Sequence, residues 1–117
     1  MSLTPAQIAA GRANDRIGTV LVLETPQMRV WHLRLAPGET APPHRHDRPY
    51  FWTVLGDGRS RSDYDDGRSV ETTYKAGDTR HFPDLTPQTG FVHNLTNIGD
   101  SELVFITVEF NAKGDAK

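Results

Sequence analysis

From Gly18 to Phe110 the chain is written in short apolar runs divided by turn residues. GTVLVLE, over Gly18 to Glu24, is β-branched and reads as a strand, broken by Thr25-Pro26. Over Gln27 to Ala36 the pattern alternates. Trp31, Leu33 and Leu35 fall on one face, His32 and Arg34 on the other, which is the period of a half-buried strand. YFWTVL, over Tyr50 to Leu55, is dense in aromatic and β-branched residues and reads as the next strand. Further strands are predicted over Arg59 to Tyr64, Ser69 to Tyr74, Thr79 to Phe82, Phe91 to Leu95 and Glu102 to Phe110, about eight in all. The turns between them carry the residues turns require: Pro37-Gly38-Glu39, Gly56-Asp57-Gly58, Asp65-Asp66-Gly67 and Ala76-Gly77-Asp78. One helix start is visible. Thr4 can cap, Pro5 suits the first helical position, Gln7 completes a capping box, and Gly11 is expected to end the helix.

Short strands at turn spacing predict an all-β sandwich or small barrel with a short N-terminal helix. The 117 residues suit one domain. Its expected division is a helical segment over 1–16, a barrel over 17–110 and a frayed tail over 111–117.

Composition narrows the function. The formal net charge is -2 and the basic residues are scattered, so no basic stripe points to nucleic acid. The absence of cysteine excludes disulfides, thiolate metal sites and a cysteine nucleophile. No apolar run is long enough to span a bilayer. The N-terminus lacks a basic region followed by an apolar one, so a cytoplasmic location is expected. No phosphate loop, nucleotide fingerprint or G-x-S-x-G elbow is present, and Asp65-Asp66 lacks the ligand pattern of a calcium loop.

The candidate chemistry sits in PPHRHDRPYFW, Pro42 to Trp52. His44 and His46 are two residues apart, which in extended backbone places both imidazoles on one face. His93 lies on a later strand that shares a face with Phe91 and Leu95. Imidazoles grouped in a small cavity suit a divalent transition metal. A surface turn can also carry His-Arg-His with no metal role, and the pair alone leaves both readings open.

The surrounding spacing resembles the two motifs of the cupin superfamily. Gly38 is followed after five residues by His44-x-His46, and Gly58 closes that hairpin. Gly77 is followed after five residues by Pro83; Gly90 is followed after two by His93 and, after three more, by Asn97. The resemblance covers Gly38 to Asn97. It departs from the pattern twice. Asp84 to Thr89 stretch the second motif, and the usual glutamate ligand falls on Tyr50 or Phe51, neither of them a carboxylate. The pattern His46-x3-Tyr50 with Val92-His93-Asn94 also resembles short bacterial cupins linked to β-alanine degradation.

The resemblance implies a jelly-roll β-barrel holding a divalent metal (Fe2+, Ni2+ or Zn2+) on His44, His46 and His93. Three neutral ligands leave the charge of the ion uncompensated, so a small anionic metabolite is the expected partner. Some cupin thiol dioxygenases use iron this way, which makes a dioxygenase-like enzyme the leading expectation. A non-catalytic binding or sensor module, and a structural cupin with adventitious metal, are the alternatives. Tyr50 is a candidate acid/base group or a space-filling aromatic. Phe51, Trp52, Phe91 and His81 are candidate substrate contacts. Their bland roles are core aromatics and a surface histidine. Arg45 and Arg48 flank the histidines as steering charges or solvated ones. Cupins commonly pair through barrel edges, so a homodimer is expected, with ELVFITVEF and the N-terminal segment as the apolar surfaces.

Overall fold

The structure is a computed structural model and describes residues 2–111. The tail expected over 111–117 falls, from residue 112 on, outside the described residues. The elements are α1 (Pro5–Arg12), β1 (Val20–Glu24), β2 (Met28–Leu35), β3 (Thr40–His46), β4 (Tyr50–Val54), β5 (Gly58–Asp63), β6 (Ser69–Tyr74), β7 (Thr79–Phe82), β8 (Phe91–Asn97) and β9 (Leu103–Phe110). They form two antiparallel sheets, β1-β2-β9-β4-β7 and β3-β8-β5-β6, the jelly-roll arrangement expected from the sequence. Among the described residues no helix is long and apolar enough to cross a membrane.

α1 starts as its sequence dictates. The Thr4 N–H donates to Gln7 Oε1 at 2.8 Å, and the Gln7 N–H donates to Thr4 Oγ1 at 3.1 Å. Its end corrects the expectation for Gly11. The helix runs on to Arg12, and Gly11 is buried against the second sheet, where a Cβ would lie 2.4 Å from Val92 Cγ1 and 3.0 Å from Pro43 Cβ. The glycine is there for close approach and not for chain reversal. It lets α1 cover the outer face of β3 and β8, and Val92 is buried beneath it.

β3 is the strand the sequence pattern did not show. Pro42 and Pro43 suppress strand character and remove two donors. The fold places them where this costs least, on an edge strand and at a bulge in the β3–β8 ladder between Ala41 and His44. The loop after α1 then closes that edge. The Arg45 N–H donates to Asn14 O at 2.8 Å, and Asn14 Nδ2 donates to Pro43 O at 3.0 Å.

β9 corrects the surface expected for pairing. ELVFITVEF does not lie on a barrel edge; β9 sits between β2 and β4 with both edges hydrogen-bonded. The open edges of that sheet are β1 and β7.

The interior is layered along the barrel. One end is an apolar plug of Leu33, Leu35, Ala41, Val54, Tyr74, Leu95, Leu103 and Phe105. Moving along the same inward faces, Leu95 gives way to His93, Ala41 to His44, Val54 to Trp52 and Phe105 to Thr107. The apolar half supplies the burial that holds the sheets together, and the polar half is left for chemistry.

Asn97 ties the two motifs at the plugged end. Its Nδ2 donates to Leu35 O at 2.9 Å and Ser101 O at 2.8 Å, and its Oδ1 accepts from the Gly99 N–H at 2.9 Å. Its backbone carbonyl accepts from the Gly38 N–H at 2.9 Å, and Gly38 needs its positive φ of 85° to make that turn.

Candidate metal centre

The bulge at Pro42-Pro43 decides where the histidines point. Ala41 is buried; without the extra residue, strict alternation would send His44 and His46 to the opposite face. With it, Ala41, His44 and His46 all turn inward. His44 then lies directly across from His93 on β8, and His46 across from Phe91. The three imidazole centroids are 4.8 to 5.0 Å apart, and one nitrogen from each falls within 4.8 Å of the other two. His44 and His46 are buried; His93 keeps part of its surface toward the cavity.

Each ring is held neutral. Desolvation lowers the His44 pKa to about 4, against the smaller opposing effect of its bond to Pro42. Desolvation also takes His46 and His93 well below the ordinary histidine value, and the neighbouring imidazoles add to this. Neutral imidazole is the form that ligates a metal.

The His46–His93 pair has the nitrogen spacing of two ligands on one ion, within a cluster whose ligand atoms spread to 4.8 Å. His44 Nδ1–H donates to the Pro42 carbonyl at 2.8 Å, which fixes the tautomer and leaves the Nε2 lone pair facing inward. His46 Nε2 and His93 Nε2 face each other at 3.1 Å. Two lone pairs at that distance repel unless a proton or a cation lies against them. Two nitrogens each ~2.0–2.1 Å from one ion stand ~3.0–3.4 Å apart, so the observed spacing suits a shared metal. Nδ1 of His46 and of His93 are buried without a hydrogen-bond partner among the described residues, so His44 alone is anchored from behind.

No carboxylate joins the cluster among the described residues. Tyr50, and not Phe51, takes the inward position after the His pair. It is 3% exposed, stacks on His46 at 4.3 Å and on Phe82 at 4.6 Å, and burial raises its pKa, so the phenol stays protonated. Trp52 and Tyr50 line the cavity beside the histidines. Phe91 lies beneath the rings, 5.2 Å from His46 and 5.1 Å from His93.

Two expected contacts lie elsewhere. Phe51 and His81 are cross-strand partners on β4 and β7, and alternation turns both away from the cavity. They pack edge to face at 6.4 Å on the outer side of the sheet, and His81 is exposed. Arg45 and Arg48 both pair with Asp47 and do not line the cavity.

Tyr64, Tyr74 and Arg80 are among the cavity residues that the sequence pattern did not single out. Tyr64 bridges to His93 and its ring lies 5.2 Å away. Tyr74 meets Ser60 Oγ at 2.8 Å. Arg80 lies opposite Trp52 on the cavity face. The parity of TRHF against YFWTV is the signal that would have found Arg80 in place of His81. The cavity offers about 90 Å³ to the centre of a water-sized sphere, room for a small molecule or several waters.

Two antiparallel sheets closed around a three-histidine cluster define the class. The cupin domain family model matches residues 31–109, and the chain belongs to that family. A cupin domain from Bordetella pertussis Tohama I aligns with a TM-score of 0.68 at 25% identity, over 85% of this chain and 96% of that one. A protein with a double-stranded β-helix domain from Klebsiella pneumoniae gives a TM-score of 0.59 at 24% identity, over 91% and 83%. An RmlC-like cupin from Methanocaldococcus jannaschii gives 0.58 at 20%, over 82% and 84%. No protein of curated function matches the chain.

Proposed function

We propose that this cupin is a metal-dependent enzyme acting on a small anionic metabolite, with iron(II)-dependent, dioxygenase-like oxidation as its leading form. One observation carries the reading: three neutral imidazoles, two buried and one half-buried, converge beside a cavity, with no carboxylate joining them among the described residues. His44, His46 and His93 would hold the ion, which would supply Lewis acidity and, as iron, redox exchange with dioxygen. The protein leaves the charge of that ion uncompensated, and this favours an anionic ligand over a neutral one. Tyr50 keeps its proton and so serves as a hydrogen-bond donor to the ligand, not as a base. The aromatic wall of Trp52, Phe82 and Phe105 limits water around the ligand.

The test begins with metal analysis of protein purified without a metal-affinity column. Stoichiometric metal is expected, with oxygen consumption on addition of iron(II) and a carboxylate or thiolate metabolite. His93→Ala should lose the metal and the turnover together. Wild-type protein that holds no stoichiometric metal would overturn the reading.

A binding module is the second reading, favoured by one feature. Among the described residues no Asp or Glu lines the cavity, and the phenol nearest the histidines cannot act as a base at neutral pH. Ligand-dependent thermal shift in metal-loaded protein without turnover would establish this reading instead.

A further inference from the structure

Among the described residues, the cavity leading to the histidines carries one permanent cation, Arg80, and no carboxylate. β7 pairs with β4 so that Arg80 falls opposite Trp52, on the cavity face. Among the described residues seven of the ten arginines meet a carboxylate; Arg12, Arg16 and Arg80 meet none, and of these only Arg80 lines this cavity. Its position is nevertheless defined. The guanidinium carbon lies 5.1 Å from the centroid of Phe82. Phe82 stacks on Tyr50 at 4.6 Å with an 11° tilt, and Tyr50 stacks on His46 at 4.3 Å. A continuous column of planar groups therefore runs from Arg80 at the mouth to the histidine centre.

We infer that Arg80 is the anchor for a carboxylate on the small molecule bound in this cavity, the rest of which extends along the column to the three histidines. The inference rests on the reading of a small anionic ligand given above and assigns it a carboxylate at the mouth, distinct from the group that meets the ion. A guanidinium presents two parallel N–H donors that match the two oxygens of a carboxylate. One cation suits a monoanion; a phosphate dianion would find no second positive side chain among the described residues of this wall. Trp52, Phe82, Val70 and Phe105 supply apolar wall, so the body of the ligand is apolar or aromatic.

The test uses butyrate and benzoate as probes, butyramide and benzamide as neutral matches, and inorganic phosphate. Binding is read by thermal shift and ligand-observed NMR on the full chain, metal-free and metal-loaded. Both carboxylates should bind wild-type protein in both forms, while the amides and phosphate should not. Arg80→Gln should weaken carboxylate binding by about tenfold or more, the loss expected for a hydrogen bond to a charged group. Arg80→Lys, which keeps the charge but not the fork, should fall between. Arg80 is exposed, so neither variant should disturb the fold, and near-ultraviolet circular dichroism checks this.

Equal carboxylate binding in wild type and Arg80→Gln would overturn the inference. So would binding confined to the metal-loaded form, phosphate binding as tight as benzoate, or no carboxylate binding to wild type at millimolar concentration. Metal content measured on the same samples separates the two proposals. Full metal with carboxylate binding independent of Arg80 removes the anchor and leaves the metal centre standing. Absent metal with carboxylate binding that depends on Arg80 does the reverse.

Discussion

At Tyr50 one side chain replaces a charged ligand with a neutral plane. A glutamate there would offset part of the charge of an ion; a phenol with a raised pKa does not. What it gives instead is contact on both ring faces, with His46 on one and Phe82 on the other. Its hydroxyl has no hydrogen-bond partner among the described residues, so the oxygen is available to a ligand. Tyr50→Phe keeps the stack and removes only that oxygen. Metal content and melting temperature should therefore stay within error of wild type. Turnover should fall by ~10²–10³, the range for loss of one positioned hydrogen-bond donor. Unchanged turnover in Tyr50→Phe would leave the ring as filler. The sequence had left Tyr50 and Phe51 open for this position. Parity settles it, because the inward residues of β4 are Tyr50, Trp52 and Val54.

At the scale of the element, β3 shows why part of the site was legible and part was not. The spacing of His44, His46 and His93 was readable because a two-residue interval has one meaning in extended backbone. The strand that carries the pair was not readable, because its two prolines argue against a strand and only an edge position with a bulge accommodates them. Arg80 was legible only through parity: it shares a face of β7 with Phe82, and register with β4 makes that face the inward one. The end of β3 is fixed from outside by Gly90. A Cβ there would lie 2.5 Å from His46 O and 3.0 Å from Asp47 Cα, both backbone atoms that cannot step aside alone. Gly90→Ala should therefore displace the His46 end of β3 at a cost of about 1–3 kcal/mol. Metal titration should show weaker binding by this variant while circular dichroism keeps the β signature. Wild-type metal affinity in Gly90→Ala would mean that β3 tolerates the shift and that Gly90 is not needed for the site.

For the whole molecule, the site is held against the preference of its own groups for water, and this sets the response to acid. His44, His46 and His93 have folded pKa values below the ~6.5 of an unfolded histidine. Below that pH the unfolded chain takes up protons that the folded chain refuses. Stability is therefore fully present above ~6.5 and falls as the pH drops. For His44 alone, the drop to about 4 corresponds to a loss of about 3 kcal/mol. The three rings share one space, so their losses do not simply add. Glu109 works the other way. It is buried against Arg29, with Nε to Oε1 at 2.7 Å, and desolvation raises its pKa despite that partner. A raised carboxyl contributes stability that fades as the pH rises through its folded value, so it offsets part of the histidine loss in acid. Three depressed histidines against one raised carboxyl leave the net slope with the histidines. The metal-free protein should lose melting temperature progressively from pH 7 to pH 4.5, and a bound divalent ion should oppose this until protons displace it. His44→Gln, which removes one titrating ring, should flatten the metal-free profile. A melting temperature that is level across that range in wild-type protein would show that the three imidazoles are solvated enough to titrate as they do in the unfolded chain. The centre would then be more open than its burial indicates.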